Sequence, residues 1–338
     1  MELYCGIDLH SNNNVIVLID EQDEIVIRRR LPNDLDRVLE ELLPYRESIE
    51  GVVVESTYNW YWLVDGLIEA GFRVHLANTA AIVQYKGLKY TNDDSDARWL
   101  AQLLNLGILP VGYIYPKEQR AIRDLLRKRG QLVRQRTANL LSVQNIITRN
   151  RSQSYSANDV KKLTPELVEQ LLPDQNISLA VESNLMVMKT LSEAITQIEK
   201  MVKTQVRPYP EYQCLINVSG IGTILGMTIT LETGNIKRFG KAGEYASYCR
   251  CVGSKRISNG KTKGQGNTKN GNKYLAWAYM EAANFAVRYN PHIKRYYQRK
   301  RAKTNGRIAI KTVAHKLARA CFYILRDGTE FDVQKAFT

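Results

Sequence analysis

Cysteine is scarce in this chain: five among 338 residues, an odd number, which argues against a disulfide framework. Cys5, Cys214, Cys249, Cys251 and Cys321 follow no signal-peptide pattern, so the expectation is reduced thiols and a cytoplasmic protein. Cys249 and Cys251 form a C-x-C pair without a second pair of ligands, which argues against a zinc site. No apolar run reaches the roughly 18 residues that cross a bilayer, so no membrane partner is expected. Gly220-Ile221-Gly222 lacks a preceding strand and a correctly spaced third glycine, which argues against a dinucleotide fingerprint. Acidic residues are outnumbered, 34 against 48 Lys and Arg, leaving a net charge of +14. None at all occurs from Arg250 to Lys273. An excess of this size favours a polyanionic partner.

The length suits about two domains. The first stretch reads as an antiparallel meander of three strands, Tyr4–Leu9, Val15–Asp20 and Glu24–Leu31. A helix follows, with Leu35, Val38, Leu39, Leu42 and Leu43 at helical spacing. Then come a strand Gly51–Glu55, a helix through Tyr61–Ala70 stopped at Gly71, a strand Arg73–Ala77, and a helix opening near Asp96. Beyond Pro116 a long helical stripe carries Leu126, Val133, Leu140 and Ile147, seven apart. After a polar break at Asn150–Asn158, a second long helix is expected to run to about Val206. Two such helices suit an antiparallel coiled-coil hairpin or dimerisation arm, or else an ordinary bundle core. The expected boundaries are a first domain over 1–112, helices over 113–207, and a mostly helical domain over 208–338.

Four carboxylates stand out. Asp8 and Glu55 each close an apolar strand, and Asp93 and Asp96 lie one turn apart at a helix start. Strand ends and a helix start can converge, and clustered carboxylates repel one another unless a cation joins them. Phosphodiester chemistry uses two cations about 3.5–4 Å apart, here Mg²⁺ or Mn²⁺. Asp8 on the central strand would bridge them, with Glu55 on one and Asp93 and Asp96 on the other. Each residue also has a plain structural use: Asp8 as a turn cap, Glu55 as a surface ion-pair partner, the aspartates as helix N-terminal charges.

The candidate nucleic-acid contacts lie later. Arg250, Lys255, Arg256, Lys261, Lys263, Lys269 and Lys273 punctuate a glycine-rich stretch expected to be a flexible loop moulding to a sugar-phosphate backbone. The turn Ser219-Gly220-Ile221-Gly222 resembles a helix-hairpin-helix, whose glycine amides (Gly220, Gly222) can approach a phosphate. Lys294-Arg295-Tyr296-Tyr297 begins a run of bases interleaved with aromatics, suited to backbone contact and stacking on exposed bases.

The element order β-β-β-α-β-α-β-α resembles the RNase H and Holliday-resolvase (RuvC-like) fold, in which the first and fourth strands are neighbours. Gly6-Ile7-Asp8, Val54-Glu55-Ser56-Thr57, Asn92-Asp93-Asp94-Ser95-Asp96-Ala97-Arg98 and Ser219-Gly220-Ile221-Gly222 resemble the motifs of the DEDD insertion-sequence transposases, the insertion sequence 110 family. The resemblance spans nearly the whole chain. It implies an α/β RuvC-like catalytic domain, a coiled-coil insert and a C-terminal transposase domain. It also implies a tetrad of Asp8, Glu55, Asp93 and Asp96, and a strand-exchange serine whose matching position is Ser258. Asn259 follows where glycine is usual, and Gly253 stands where an upstream proline is usual. A serine nucleophile would conserve the bond energy for rejoining. The resemblance further implies target and donor DNA, a structured non-coding guide RNA, a homo-oligomer, and a bacterial, nucleoid-associated setting. Three other readings stay open: a junction-resolving nuclease that uses the same acids, a tyrosine recombinase built on His292, Arg295 and Tyr323, and a binding protein with a decayed nuclease fold.

Overall fold

The computed structural model describes residues 1–82, 93–254, 256–264 and 270–338. These residues group into two units. One is Met1–Lys117 together with Ser254–Asn270, and the other is Glu118–Gly253 together with Gly271–Thr338.

The first unit is a mixed α/β layer structure. Its strands are β1 (Leu3–Leu9), β2 (Asn13–Asp20), β3 (Ile25–Pro32), β4 (Ile49–Glu55), β5 (Val74–Ala77) and β6 (Val111–Gly112). Its helices are α1 (Leu35–Leu42), α2 (Tyr61–Glu69) and α3 (Asp93–Asn105). The sheet order is β3-β2-β1-β4-β5-β6. The first three strands form the expected antiparallel meander, and β4 lies parallel to β1. The short edge strand β6, antiparallel to β5, was not expected from the sequence pattern.

Strand alternation sorts the side chains into two layers. Leu3, Cys5, Ile7, Leu9, Val52 and Val54 pack with α1 and α2 residues such as Val38, Leu42, Leu63 and Leu67. On the other face Val15, Val17 and Ile19 meet Ala97 and Ala101 of α3, and Val53 meets Leu100 and Leu103. One glycine decides how closely α3 approaches. A Cβ built on Gly6 would lie 1.9 Å from the Ala97 carbonyl oxygen, so the helix backbone rests directly on β1. At the turn end of β2, the Arg98 guanidinium donates to the Asp23 carboxylate and carbonyl at 2.8 Å each, which fixes the rotation of α3.

The second unit is helical. Helix α4 (Lys117–Arg151) is 35 residues long, so about 50 Å. Two short helices, α5 (Ala157–Val160) and α6 (Pro165–Leu171), come before α7 (Gln175–Val206). The single second helix expected after the polar break is therefore three helices. Thr164 caps α6 with Pro165 in its first turn, and Asp174 caps α7, so the chain is cut into separate starts. Helices α4 and α7 run antiparallel. Arg129 pairs with Glu199 at 2.7 Å and Arg136 donates to Ser192 at 3.2 Å. Ile122 and Leu126 meet Val202 and Val206 at one end, and Val143 and Ile147 meet Val181 and Met188 at the other.

The remaining helices are α8 (Pro210–Leu215), α9 (Thr223–Thr233), α10 (Ala242–Tyr248), α11 (Lys273–Tyr289), α12 (Pro291–Lys303), α13 (Gly306–Asp327) and α14 (Val333–Phe337). They enclose one apolar core that includes Tyr245, Tyr279, Leu317 and Phe322. Among the described residues no helix is long and apolar enough to cross a membrane.

Candidate metal centre and nucleic-acid contacts

Because β1, β4 and β5 are parallel, their C-terminal ends share one edge of the sheet. Ile7 is in register with Val54, which makes Asp8 and Glu55 neighbours on the α3 face. Asp93 and Asp96 occupy the first turn of α3, the helix seated over Gly6. The fold thus gathers all four sequence-predicted carboxylates at one end of the first unit.

Their electrostatics record the crowding. Asp8 is 4% exposed. Burial, then a hydrogen bond with Asp8, and the charges of Asp8 and Asp96, push the Glu55 carboxyl up to about 8. Asp96 is raised as well, by burial and by the charges of Asp8 and Asp93. Asp93 goes the other way, because the Arg30 guanidinium donates to it at 2.6 Å. Arg28 pairs with Asp94 in the same way, so alternate residues of β3 hold the start of α3.

A fifth residue, absent from the sequence-predicted set, joins the cluster. His10 Nε2 lies 3.2 Å from Asp8 Oδ2 and 3.4 Å from Asp93 Oδ2. These three side chains offer ligand atoms within 4.8 Å of one another. The His10 backbone is pinned by Asn33 and Asn59, whose amides both donate to its carbonyl, at 3.0 and 2.8 Å. The sequence signal was the spacing Asp8-Leu9-His10, a histidine two residues after a strand-end carboxylate. Chemically, one buried and three half-buried carboxylates that repel one another, with an imidazole nitrogen among them, fit a divalent cation of the Mg²⁺ or Mn²⁺ kind.

The basic segment is more ordered than expected. Instead of a flexible loop, residues 256–264 form a hairpin of β7 (Arg256–Ser258) and β8 (Lys261–Gly264). Asn259 and Gly260 both have positive φ, 49° and 68°, the two-residue turn that an Asn-Gly pair favours. Ser258 and Lys261 face each other across that turn. Ser258, Lys261 and Lys263 are exposed. The segment belongs to the same unit as the carboxylates, and its last residue, Asn270, accepts a hydrogen bond from Asn78 just beyond β5. Arg256 opens β7, while Lys255 and Lys269 lie outside the described residues.

Other expected contacts have structural roles. The Arg250 guanidinium donates twice to the Gly271 carbonyl, at 3.0 and 2.7 Å, closing the neck of the segment. Gly220 sits against α11, where a Cβ would meet the Ala282 carbonyl oxygen at 2.2 Å; Gly222 has open space around it. Lys294 and Arg295 are exposed on α12, but Tyr296 is 6% exposed and Tyr297 packs against the same core. The ring of Tyr296 is therefore closed to stacking on exposed bases, and Tyr297 is half-buried. Ile293, Tyr296 and Tyr297 share the inward face because helical spacing, not sequence adjacency, sets the direction.

Comparison with known proteins bears on both units. A family profile for DEDD transposases of the IS110 type matches residues 5–150, and one described as transposase of the IS116/IS110/IS902 family matches residues 212–298. A probable family 20 transposase of Pseudomonas aeruginosa is 23% identical over 290 residues, 84% of this chain and 83% of that protein. The transposase for insertion sequence element IS1328 of Yersinia enterocolitica is 21% identical over 333 residues, 96% of this chain and 97% of that protein. Two family matches along one chain, with transposases as relatives over most of its length, place it: the chain belongs to the IS110 family of transposases and carries a DEDD-type domain.

Proposed function

We propose that this transposase cleaves and rejoins DNA by phosphoryl transfer at the carboxylate centre of its first unit, with Ser258 as nucleophile. The observation that carries the reading is the convergence of Asp8, Glu55, Asp93 and Asp96 at one sheet edge, with Glu55 pushed up to about 8. Burial of several like charges costs free energy unless a cation compensates. Asp8, Glu55, Asp93 and Asp96 would hold two divalent ions, Mg²⁺ or Mn²⁺. Bound there, the ions supply Lewis-acid stabilisation of the phosphate under transfer. The strand order β3-β2-β1-β4-β5, with β1 parallel to β4, supports an RNase H or RuvC-like assignment.

The chain's own groups divide the remaining work. Arg30 and the helix start hold Asp93 in its ionised form. His10, fixed by Asn33 and Asn59, orients the carboxylates of Asp8 and Asp93. The Ser258 oxygen forms a bond to phosphorus as the phosphorus–O3′ bond breaks. The serine proton ends on the departing 3′-oxygen, and the phosphoserine ester keeps the energy for rejoining. Grouping of the hairpin with the carboxylate unit supports a shared centre.

Exposed Lys261, Lys263, Lys294 and Arg295, within a net charge of +14, support a nucleic-acid surface larger than one short duplex contact. A structured guide RNA and a homo-oligomeric assembly complete the reading. The test is a cleavage and joining assay on element-end DNA with Mg²⁺. Alanine at Asp8, Glu55, Asp93 or Asp96 should abolish cleavage, and Ser258→Ala should bind DNA yet give no protein–DNA adduct on a denaturing gel. Adduct formation by Ser258→Ala removes the serine from the mechanism. Hydrolysed ends that never rejoin favour a junction-resolving nuclease, and recombination that survives removal of all RNA refutes guidance.

A further inference from the structure

The helical unit contains a cavity of about 490 Å³ whose lining includes no residue of the carboxylate centre or of the serine hairpin. It opens between α4, α9 and the start of α11. Leu126, Val133 and Ile224 give it apolar walls, and Trp277 stands at it 44% exposed. Its volume falls in the range of small-ligand sites, about 300–1,000 Å³.

Three features mark it as more than imperfect packing. The first is Gly130. A glycine inside a long helix costs roughly 0.5–1 kcal/mol relative to alanine. Here the nearest atom a Cβ would meet is the tip of the Arg134 side chain at 3.7 Å, so no close approach requires the glycine. What its missing side chain does is leave the cavity open. The second is charge. Arg127 is spent on Glu232, through bonds of 2.6 and 2.7 Å, and Arg129 on Glu199. Among the described residues Arg134 and Lys273 have no carboxylate partner, and the Lys273 ammonium has only the Tyr274 ring, 5.2 Å from its centre, so neither charge is neutralised at the mouth. The third is the open ring. Tyr274 is already covered by Arg127, whose guanidinium carbon lies 4.5 Å from the ring centre. Among the described residues nothing stacks on Trp277.

An open indole beside two unpaired cations, above an apolar floor, matches one chemistry: a flat heteroaromatic ring joined to a phosphate. We infer that this cavity takes a single unpaired nucleotide of the DNA substrate, its base on Trp277 and its phosphate on Arg134 and Lys273. A stacked duplex cannot present a base face, so the nucleotide must be splayed out of its strand. DNA is the source because the chain belongs to a family of transposases, whose substrate is DNA. The inference rests on DNA being the substrate but not on the metal centre or the serine.

The test uses the full chain without divalent cation and fluorescence anisotropy with labelled oligothymidine of about a dozen nucleotides. A backbone of the same length with abasic residues, and a blunt duplex, serve as comparisons. Base–aromatic stacking predicts that Trp277→Ala weakens oligothymidine binding about 10-fold while abasic and duplex binding stay unchanged. Gly130→Leu, which fills the cavity with a better helix former, should do the same, and Trp277→Phe should restore most of the affinity. Arg134→Gln should weaken both single strands alike. Equal losses on the abasic strand, unchanged oligothymidine binding by Trp277→Ala and Gly130→Leu, or no wild-type binding to oligothymidine each overturn the inference. Tighter binding of oligouridine than of oligothymidine overturns the assignment to DNA. Cleavage of element-end DNA reads the carboxylate centre separately, so the two failures are distinguishable.

Discussion

Replacing Gly6 by alanine would drive a methyl group into the backbone of α3. The added carbon would stand 1.9 Å from the Ala97 carbonyl oxygen and 2.8 Å from the Ala101 amide nitrogen. An ordinary carbon–oxygen contact is about 3.3 Å, so the helix must retreat by roughly 1.4 Å or the sheet must bow by as much. Overpacking of this kind costs about 1–3 kcal/mol. The larger effect is on chemistry, because α3 carries Asp93 and Asp96 while β1 carries Asp8. A displacement near 1 Å in a positioned catalytic set lowers rates about 10²-fold. The expected result is a folded protein with a modestly lower urea midpoint and DNA cleavage reduced about 100-fold. Adding Ala97→Gly should not rescue it, since the obstructing atom belongs to the backbone. Wild-type cleavage and stability in Gly6→Ala would refute the idea that this close approach sets the carboxylate geometry.

The folded-state value of Glu55, about 8, lies above its ordinary 4.5, so its contribution favours folding fully below about pH 4.5 and is lost as pH rises through 8. Cation-free protein should therefore lose about 2 kcal/mol between pH 5 and 8, after allowance for solvent screening, and Glu55→Gln should flatten that slope in urea titrations; an unchanged slope contradicts the burial argument. Glu232→Ala leaves the half-buried Arg127 with only the longer Asp124 contact, 3.6 Å, and should cost about 1.5–3 kcal/mol by chemical denaturation, whereas no measurable loss would mean the pair is not structural. Lys261→Ala with Lys263→Ala should lower the slope of log affinity against log salt by about 1.8 for duplex DNA; an unaltered slope places phosphate contact elsewhere.

Much of the first unit was legible because its signals are local. Strand alternation in Leu3–Leu9 and Ile49–Glu55, helical spacing in α1 and the acidic start of α3 each read from a few neighbouring residues. Their order along the chain pointed to β1 beside β4. His10 was missed because its role depends on Asn33 and Asn59, which approach from distant positions. The hairpin at 256–264 was readable from Asn259-Gly260, but the density of glycine and lysine around it suggested a loop. Tyr296 and Tyr297 misled for a different reason: adjacency to bases in sequence says nothing about which helix face a ring occupies. The break between α5, α6 and α7 lay in Thr164-Pro165 and Pro173-Asp174, cap signals that a long apolar stripe obscured.

The central claim is that the strand-end acids form one cation site. Titrating Mn²⁺ into the cation-free chain, with electron paramagnetic resonance reporting free ion, tests it without reference to DNA or RNA. The wild type should remove Mn²⁺ from solution, and Asp8→Asn and Asp96→Asn should each abolish most of that uptake while keeping the circular dichroism of the fold. Undiminished Mn²⁺ uptake by Asp8→Asn would contradict the account.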